Sequence, residues 1–298
     1  MSGASPRLKL SIVIAAWNGD AALRLCLASL GEASCQTEVI VAANSAIPGA
    51  LEGQFPQVRF LLQSHTATVP ELRSAGVLAS SGDIIALTED HCRFGPHWSE
   101  QVVLAHEDPA PAIGGPIENL RVERALDWAV YFYDYGKFML PIQPGPAREL
   151  SGANVSYKRA ALMAEAECFR GGFFEPVVHG ALIARHGGLF LDARPIVHHD
   201  KSYRFGEAIR QAYHLARGYA ARRVLPSGAA RRLVLAAGAP VLFVLLPARV
   251  IYGVWKKKRR IKELTRSLPC LLLLTGSWAW GEICGYIGGE GTSGGQWR

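Results

Sequence analysis

Cysteine is scarce and unpatterned in this chain. Cys26, Cys35, Cys92, Cys168, Cys270 and Cys284 form no Cys-x-x-Cys pair and keep no regular spacing. That argues against a zinc site or a disulfide framework and fits a reducing, cytosolic face. Nothing near the N-terminus reads as a secretory leader. Arg7 and Lys9 precede an apolar stretch from Leu10 to Trp17, but Asn18-Gly19-Asp20 cuts it short. The stretch is too brief for a signal-peptide core and has no small-residue cleavage site, so the sequence predicts a chain that is not exported. Nor does a Gly-x-Gly-x-x-Gly follow it. Without that motif the pyrophosphate nest of a dinucleotide-binding dehydrogenase has no counterpart here.

What the 298 residues do hold is apolar and basic. Hydrophobic residues make up 49%, a high share for a purely soluble protein, and the length allows one large domain with an appendage. The net charge of +7 is unevenly spread. Basic residues crowd after position 200, in Arg204, Arg210, Arg217, Arg222, Arg223, Arg231, Arg232 and the run Lys256-Lys257-Lys258-Arg259-Arg260. Basic charge gathered at one end and interleaved with apolar runs points to anionic membrane lipid as a partner, and away from nucleic acid.

The first two hundred residues alternate strand and helix signals. Leu10 to Ala16, Glu38 to Ala43, Val58 to Leu62 and Ile84 to Leu87 read as short buried strands. Leu23, Leu27 and Leu30 share one helical face, and Pro70 opens a second helix carrying Leu72, Ala75 and Ala79 inward. This alternation predicts an α/β fold, a parallel sheet with helices on both faces. Trp128, Tyr131, Phe132 and Tyr135 then make an aromatic helical stripe, read as core packing. Before that stripe a helix starts near Pro96; after it a strand-like stretch runs from Glu149 to Tyr157, and a helix near Val178 to His186 and a strand near Pro195 to His198 close the pattern.

The segment Gly82-Asp83-Ile84-Ile85-Ala86-Leu87-Thr88-Glu89-Asp90-His91 is the most informative. An apolar strand runs straight into three groups able to bind a cation or a hydroxyl, which sets them at the carboxyl edge of the sheet, where open α/β folds hold ligands. Acid plus imidazole suits a divalent metal, and a metal at a sheet edge suits a diphosphate.

Beyond residue 200 the pattern changes. Tyr203 to Arg223 is a basic helix with Phe205, Ile209, Tyr213 and Tyr219 toward one side, a combination found in membrane interfaces. Two apolar segments follow, Leu233 to Trp255 and Leu268 to Ile287, each near the roughly 20 residues that cross a bilayer. Pro240, Pro247 and Arg249 interrupt the first and Glu282 the second. Basic residues flank the first at both ends and give no clear orientation. A hairpin lying in, or dipping into, the cytoplasmic leaflet explains this better than two clean spans.

In order and spacing these landmarks resemble family 2 glycosyltransferases, inverting nucleotide-sugar transferases of the GT-A fold. Ser11-Ile12-Val13-Ile14-Ala15-Ala16-Trp17-Asn18 is similar to that family's opening strand, and Leu23 to Leu30 to its first helix. Arg73-Ser74-Ala75-Gly76 resembles its Arg-Asn-x-Gly, and Gly82-Asp83-Ile84-Ile85 its lead into the metal motif. Gly152-Ala153-Asn154-Val155-Ser156-Tyr157-Lys158-Arg159 and Gly171-Gly172-Phe173-Phe174-Glu175 resemble two later segments. The likeness covers about residues 8 to 200.

The resemblance implies a mixed, mostly parallel sheet flanked by helices, followed by a C-terminal apolar helical hairpin. Residues 1–225 would form the catalytic domain and 226–298 the membrane-associated hairpin. It implies transfer of one sugar, with inversion, from a nucleotide-diphospho-sugar donor to a lipid-linked or cell-surface glycan acceptor. The expected place is the inner (cytoplasmic) membrane, with the catalytic domain on the cytoplasmic side. Donor contacts fall on Ala16, Trp17, Asn18, Asn44, Arg73, Asp83, Asp90 and Asn154. Glu89-Asp90-His91 stands where the family has Asp-x-Asp, so a divalent metal, Mn²⁺ or Mg²⁺, falls to Glu89 and His91. Mn²⁺ accepts nitrogen more readily. His198 or His199 sits where the family often has a closing His, and His198 is taken as a third ligand. Leu182 and Arg185 fit the Leu and Arg that follow the family's catalytic Asp, which puts His179 in that Asp's place, with Glu175 the nearest carboxylate. Either could be the general base, and His179 could instead be a metal ligand. Ala43 replaces the Asp that normally ends the second strand. Two classes of function therefore stay open, an active membrane-attached transferase and a catalytically inactive nucleotide-sugar binder or scaffold on the same fold.

Overall fold

A computed structural model of the chain describes residues 8–17, 19–31, 37–47, 49–224 and 228–296. In chain order its elements are β1 (Leu10–Ala16), α1 (Asp20–Ser29), β2 (Thr37–Ala43), α2 (Gly49–Gln54), β3 (Val58–Leu62), α3 (Val69–Ala79), β4 (Ile84–Glu89), β5 (Cys92–Phe94), α4 (Trp98–Ala105), β6 (Ala112–Gly114), β7 (Ile117–Asn119), α5 (Ala125–Tyr135), β8 (Gly145–Ala147), β9 (Val155–Lys158), α6 (Arg159–Met163), α7 (Glu175–His186), β10 (Leu189–Leu191), β11 (Val197–His199), α8 (Phe205–Arg223), α9 (Ala229–Gly238), α10 (Leu242–Lys256) and α11 (Ile261–Gly288). They fall into two compact units, Met1–Glu118 with Phe138–Asp200, and Asn119–Lys137 with Lys201–Arg298.

The first unit is built on a mixed sheet in the order β3-β2-β1-β4-β9-β6-β10-β8, with a small sheet β5-β11-β7 beside it. β1 pairs in parallel with β2 and β4, and β2 with β3. Every residue of β1 is buried, as expected of a central parallel strand covered on both faces, which is why Leu10 to Ala16 reads as an unbroken small and apolar run. The register sets Ala16 beside Ala43, and Ala43 beside Leu62, while Ala15 faces Glu89. The carboxyl ends of four parallel strands therefore share one edge. β9 runs antiparallel to β4, with Val155 opposite Leu87, so the loop before β9 returns to that same edge. Gly82 is required by close approach: a Cβ there would lie 2.7 Å from the Ser11 amide nitrogen and 2.9 Å from the Lys9 carbonyl.

Only Val155–Lys158 of the strand expected from Glu149 onward is extended. The residues before it turn instead, with the Asn154 amide donating to the Ser151 carbonyl at 2.9 Å, as Ser and Gly favour.

At the other end of the sheet His106, which caps α4 and is 4% exposed, has Nε2 2.8 Å from the Ser156 hydroxyl. Burial, and secondarily Lys158, lowers its pKa from 6.5 to about 3. Between those values the unfolded chain binds a proton that the folded chain refuses, so stability is complete above pH 6.5 and falls as pH drops through the window. Replacing His106 by Gln should flatten that slope in urea midpoints, removing about 2 kcal/mol of acid sensitivity at pH 5. An unaltered slope would show that the imidazole protonates in place.

The second unit is helical. The aromatic stripe of α5 is its core: Trp128, Tyr131 and Phe132 are buried, and Arg260 stacks over the Trp128 ring at 5.1 Å. α11 packs along α8 and α5. The face of α8 that packs inward is its alanine stripe. Ala208, Ala212, Ala216 and Ala220 are buried, while Phe205 is 50% exposed. Small residues win because α11 approaches so closely. A Cβ on Gly281 would meet the Tyr213 carbonyl and come within 2.8 Å of the Ala216 methyl, and one on Gly285 would lie 2.8 Å from that of Ala220. Glu282, the charge inside the second apolar segment, is buried but satisfied. It accepts from Trp278 Nε1 at 2.9 Å and the Tyr286 hydroxyl at 2.7 Å, and pairs with Arg223 at 3.3 Å. Gly281→Leu should cost about 2 kcal/mol by overpacking and lower the melting temperature by several degrees. A melting curve that does not move would mean the two helices are not in contact.

Candidate active site

Four elements bring their side chains together at the carboxyl edge. Arg73 comes from the second turn of α3, a helix started by Pro70 and by Glu71, whose carboxylate accepts from the Thr68 amide at 2.7 Å. Two bonds tie α3 to the segment that leads into α7: the Phe173 amide donates to the Pro70 carbonyl at 2.8 Å and the Ser74 hydroxyl to the Phe169 carbonyl at 2.7 Å. They bring Glu175, the first residue of α7, to Arg73. The Arg73 side chain is 8% exposed and forms ion pairs with Glu175 and, at 2.6 Å, with Glu89. Gly152 closes the other side, where any Cβ would strike the Glu175 carboxylate and lie 2.9 Å from the guanidinium.

Beyond Glu89 the chain turns through Asp90 and His91. Asp90 is fully buried and its carboxylate accepts from the Trp17 amide at 2.6 Å, locking the end of β4 to the end of β1. Its other oxygen lies 3.2 Å from His91 Nδ1. His91 Nε2 is then 3.0 Å from Glu89 Oε2. Glu89, His91 and Cys92 offer donor atoms within 4.8 Å of one another. Burial, and then Glu89, push the Cys92 thiol above its ordinary range, leaving the carboxylate and imidazole as the ready donors.

The expected site residues fall into three sets. Ala16, Trp17, Asn44, Arg73, Glu89, Asp90, His91 and Glu175 share the edge, with Asn44 donating to the Ala67 carbonyl at 3.2 Å. Asn18 lies outside the described residues. Asp83 does not join the rest. It precedes β4, so the length of that strand, about 20 Å, separates it from Glu89, and its carboxylate accepts from the Lys9 amide at 2.9 Å. Asn154 is at the edge but its side chain is used up. Its amide donates to the Pro116 and Pro195 carbonyls at 2.9 and 2.7 Å, and its oxygen accepts from Trp98 Nε1 at 3.1 Å. It braces three loops.

The three histidines lie in different settings. In β11, His198 pairs with Arg93 and His199 with Cys92, and strand alternation sends the two imidazoles to opposite faces. It is the buried His199 whose ring meets that of His91 edge-on, 4.9 Å between centroids. His179 is 3% exposed, one helical turn beyond Glu175, with Nε2 2.9 Å from the Tyr157 hydroxyl. Burial, and then Glu175, hold the Tyr157 phenol well above its ordinary pKa, so it keeps its proton and can donate it to that nitrogen. Tyr157, Cys92 and Trp98 carry no sequence signal for these contacts; only the β5–β11 register and the packing of α7 reveal them.

With this arrangement in place, comparison with other proteins is direct. Residues 11–164 match the family described as Glycosyl transferase family 2, just over half the chain. The chain belongs to glycosyl transferase family 2 and is a glycosyltransferase of the GT-A fold. Among solved structures it is similar to a mannosyltransferase, PcManGT from Pyrobaculum calidifontis, in complex with GDP-Man and Mn²⁺. There the TM-score is 0.55 at 15% identity, covering 93% of this chain and 87% of that one. It is also similar to S. aureus TarS 1–349, at TM-score 0.51 and 11% identity, covering 91% of each chain. GalNAc-T7 with UDP, GalNAc and Mn²⁺ gives a TM-score of 0.49 at 12% identity over 65% of this chain, which spans only 44% of that protein. No curated protein sequence matches. At these identities the likenesses establish the fold alone.

Asn154→Ala would strip partners from Trp98, Pro116 and Pro195 at once, and should cost about 2–4 kcal/mol in urea unfolding. Stability that stays at the wild-type value while donor affinity falls would return Asn154 to the nucleotide.

Proposed function

We propose that this glycosyltransferase moves a single sugar, with inversion, from a nucleotide-diphospho-sugar to a lipid-linked or cell-surface glycan acceptor at the cytoplasmic membrane, assisted by a divalent cation. The observation that carries the reading is the Glu175–Arg73–Glu89 bridge, which ends against His91 at the edge where parallel α/β sheets take their ligands.

The donor set fits a divalent cation. Glu89 and His91 already face each other, and Asp90 holds the far nitrogen of the imidazole, the outer-shell support that metal-bound histidines use. Those two residues would hold the ion, with His199 beside them. A nitrogen donor favours Mn²⁺ over Mg²⁺. When bound, the ion would supply positive charge to the departing diphosphate. The mannosyltransferase of similar fold carries GDP-Man and Mn²⁺, which supports a nucleotide-sugar donor and a metal here.

Ala16, Trp17 and Asn44 line the ends of β1 and β2, where the nucleoside would lie. With Ala43 in place of an acid, its polar contacts fall to Asn44 and backbone groups. Glu175 is the general base in this reading. It is a carboxylate at the edge, oriented by Arg73, and would take the acceptor hydroxyl's proton as that oxygen attacks the anomeric carbon. His179, engaged by Tyr157 behind it, positions the first turn of α7.

Membrane association is supported by the distribution of apolar surface. Fifteen of the twenty-three exposed large hydrophobic side chains among the described residues lie after residue 200.

Sugar transfer, or donor hydrolysis, by the purified protein with and without Mn²⁺ tests the assignment, the donor being chosen by a thermal-shift panel of nucleotide sugars. Glu175→Gln should lower kcat by about 10²–10⁴-fold with donor binding retained. His91→Ala should abolish the metal-dependent part with the fold intact. Turnover unchanged in both variants would remove this cluster from the chemistry.

A further inference from the structure

The helical run Ala229–Lys256 and α11 are each long and apolar enough to cross a bilayer, but their surroundings set them apart. α8 lies alongside the second half of α11 and runs in the same direction. Ser277 donates to the Ile209 carbonyl at 2.8 Å, Gly281 sits against Tyr213 and Ala216, and Gly285 against Arg217 and Ala220. Were α11 to span, its bilayer-centred residues would carry α8 to the same depth. With α8 would go Arg210, Arg217 and the Arg223–Glu282 pair. Ionised groups at that depth are costly, and α8 contacts α11 too closely to be left behind. α11 is held by one face as the central helix of this unit, while Leu272, Leu273, Trp280 and Ile287 on its other side stay exposed.

α9 and α10 are different. Their inward stripe (Ala236, Ala239, Pro247 and Val254) is buried, while Val234, Val244 and Trp255 are 71, 72 and 66% exposed. That open apolar face is bordered by cations at both ends, Arg231 and Arg232 at one and the Lys256–Arg260 run at the other, with Arg249 part-way along. A span would drive one of the two basic clusters across the membrane. A helix lying flat puts both in the headgroup layer, where anionic lipid matches them.

We propose that this unit is monotopic: the outer face of α9 and α10 lies in the interfacial layer of one leaflet of an anionic membrane, and neither long helix crosses it. The inference rests on the membrane-associated reading above and deepens it.

Arg231→Cys and Lys258→Cys, at opposite ends of the run and both exposed, test it in the full-length chain. Sealed membrane vesicles from expressing cells are treated with a membrane-impermeant maleimide before and after detergent, and modification is read at each position by mass spectrometry. The two positions should share one side. Labelling from opposite sides overturns the in-plane reading while leaving membrane association standing. Absence of the protein from the membrane fraction would instead defeat the association itself. In flotation with purified protein, vesicles containing phosphatidylglycerol should retain at least tenfold more than pure phosphatidylcholine, and salt should erase the difference. Equal retention on both would overturn the anionic partner.

Discussion

A single guanidinium, almost out of reach of water, holds two carboxylates that the chain keeps 86 residues apart in sequence. Arg73 pairs with Glu89 and Glu175 on either side, and a buried cation so placed is stable only while both partners remain. Much of the first unit serves that condition. α3 is capped and tied to the Phe169–Phe173 segment, so Arg73 is delivered at a defined height. Gly152 keeps the facing loop free of a side chain, and β4 ends at the point where Glu89 can turn toward the cation. The strictness of the arrangement follows from the low exposure of all three groups.

Around that junction the edge is fastened by backbone-directed bonds. Asp90 grips the Trp17 amide, joining two neighbouring parallel strands where they would otherwise splay. Asn154 joins the loop before β9 to those carrying Pro116 and Pro195, and to Trp98 of α4. Polar residues here act mainly on the chain itself, and the proposed ligand contacts are few: Glu89, His91, Glu175 and the strand ends at Trp17 and Asn44.

Local signals made much of this legible from sequence. Leu10–Ala16 is short, rich in β-branched residues and bounded by a turn, and the acids after Ile84–Leu87 could only fall at a strand end. What could not be read depended on partners far along the chain. Which of His198 and His199 meets His91 is decided by the pairing of β11 with β5, and one step of register would exchange them. Asp83 is close to Glu89 in sequence but a full strand away in space. The proposed preference for Glu175 over His179 as base rests on Tyr157, whose own position comes from β9. In the helical unit, aromatic residues on α8 drew attention from the alanines that pack, because the need for small side chains arises from Gly281 and Gly285 about seventy residues later. Glu282 looked like a defect in an apolar run until Arg223 supplied its counter-charge.

The glycine and alanine faces that join α8 to α11 bear on how the protein is made. α11 leaves the ribosome after α5 and α8, so the surfaces that claim it already exist when it emerges. On the monotopic reading, an insertion machinery scanning for greasy stretches would compete with that intramolecular capture, and the buried glutamate would weight the outcome toward capture. Synthesis order and a pair of missing side chains would then decide on which side of the lipid–water divide a hydrophobic helix comes to rest.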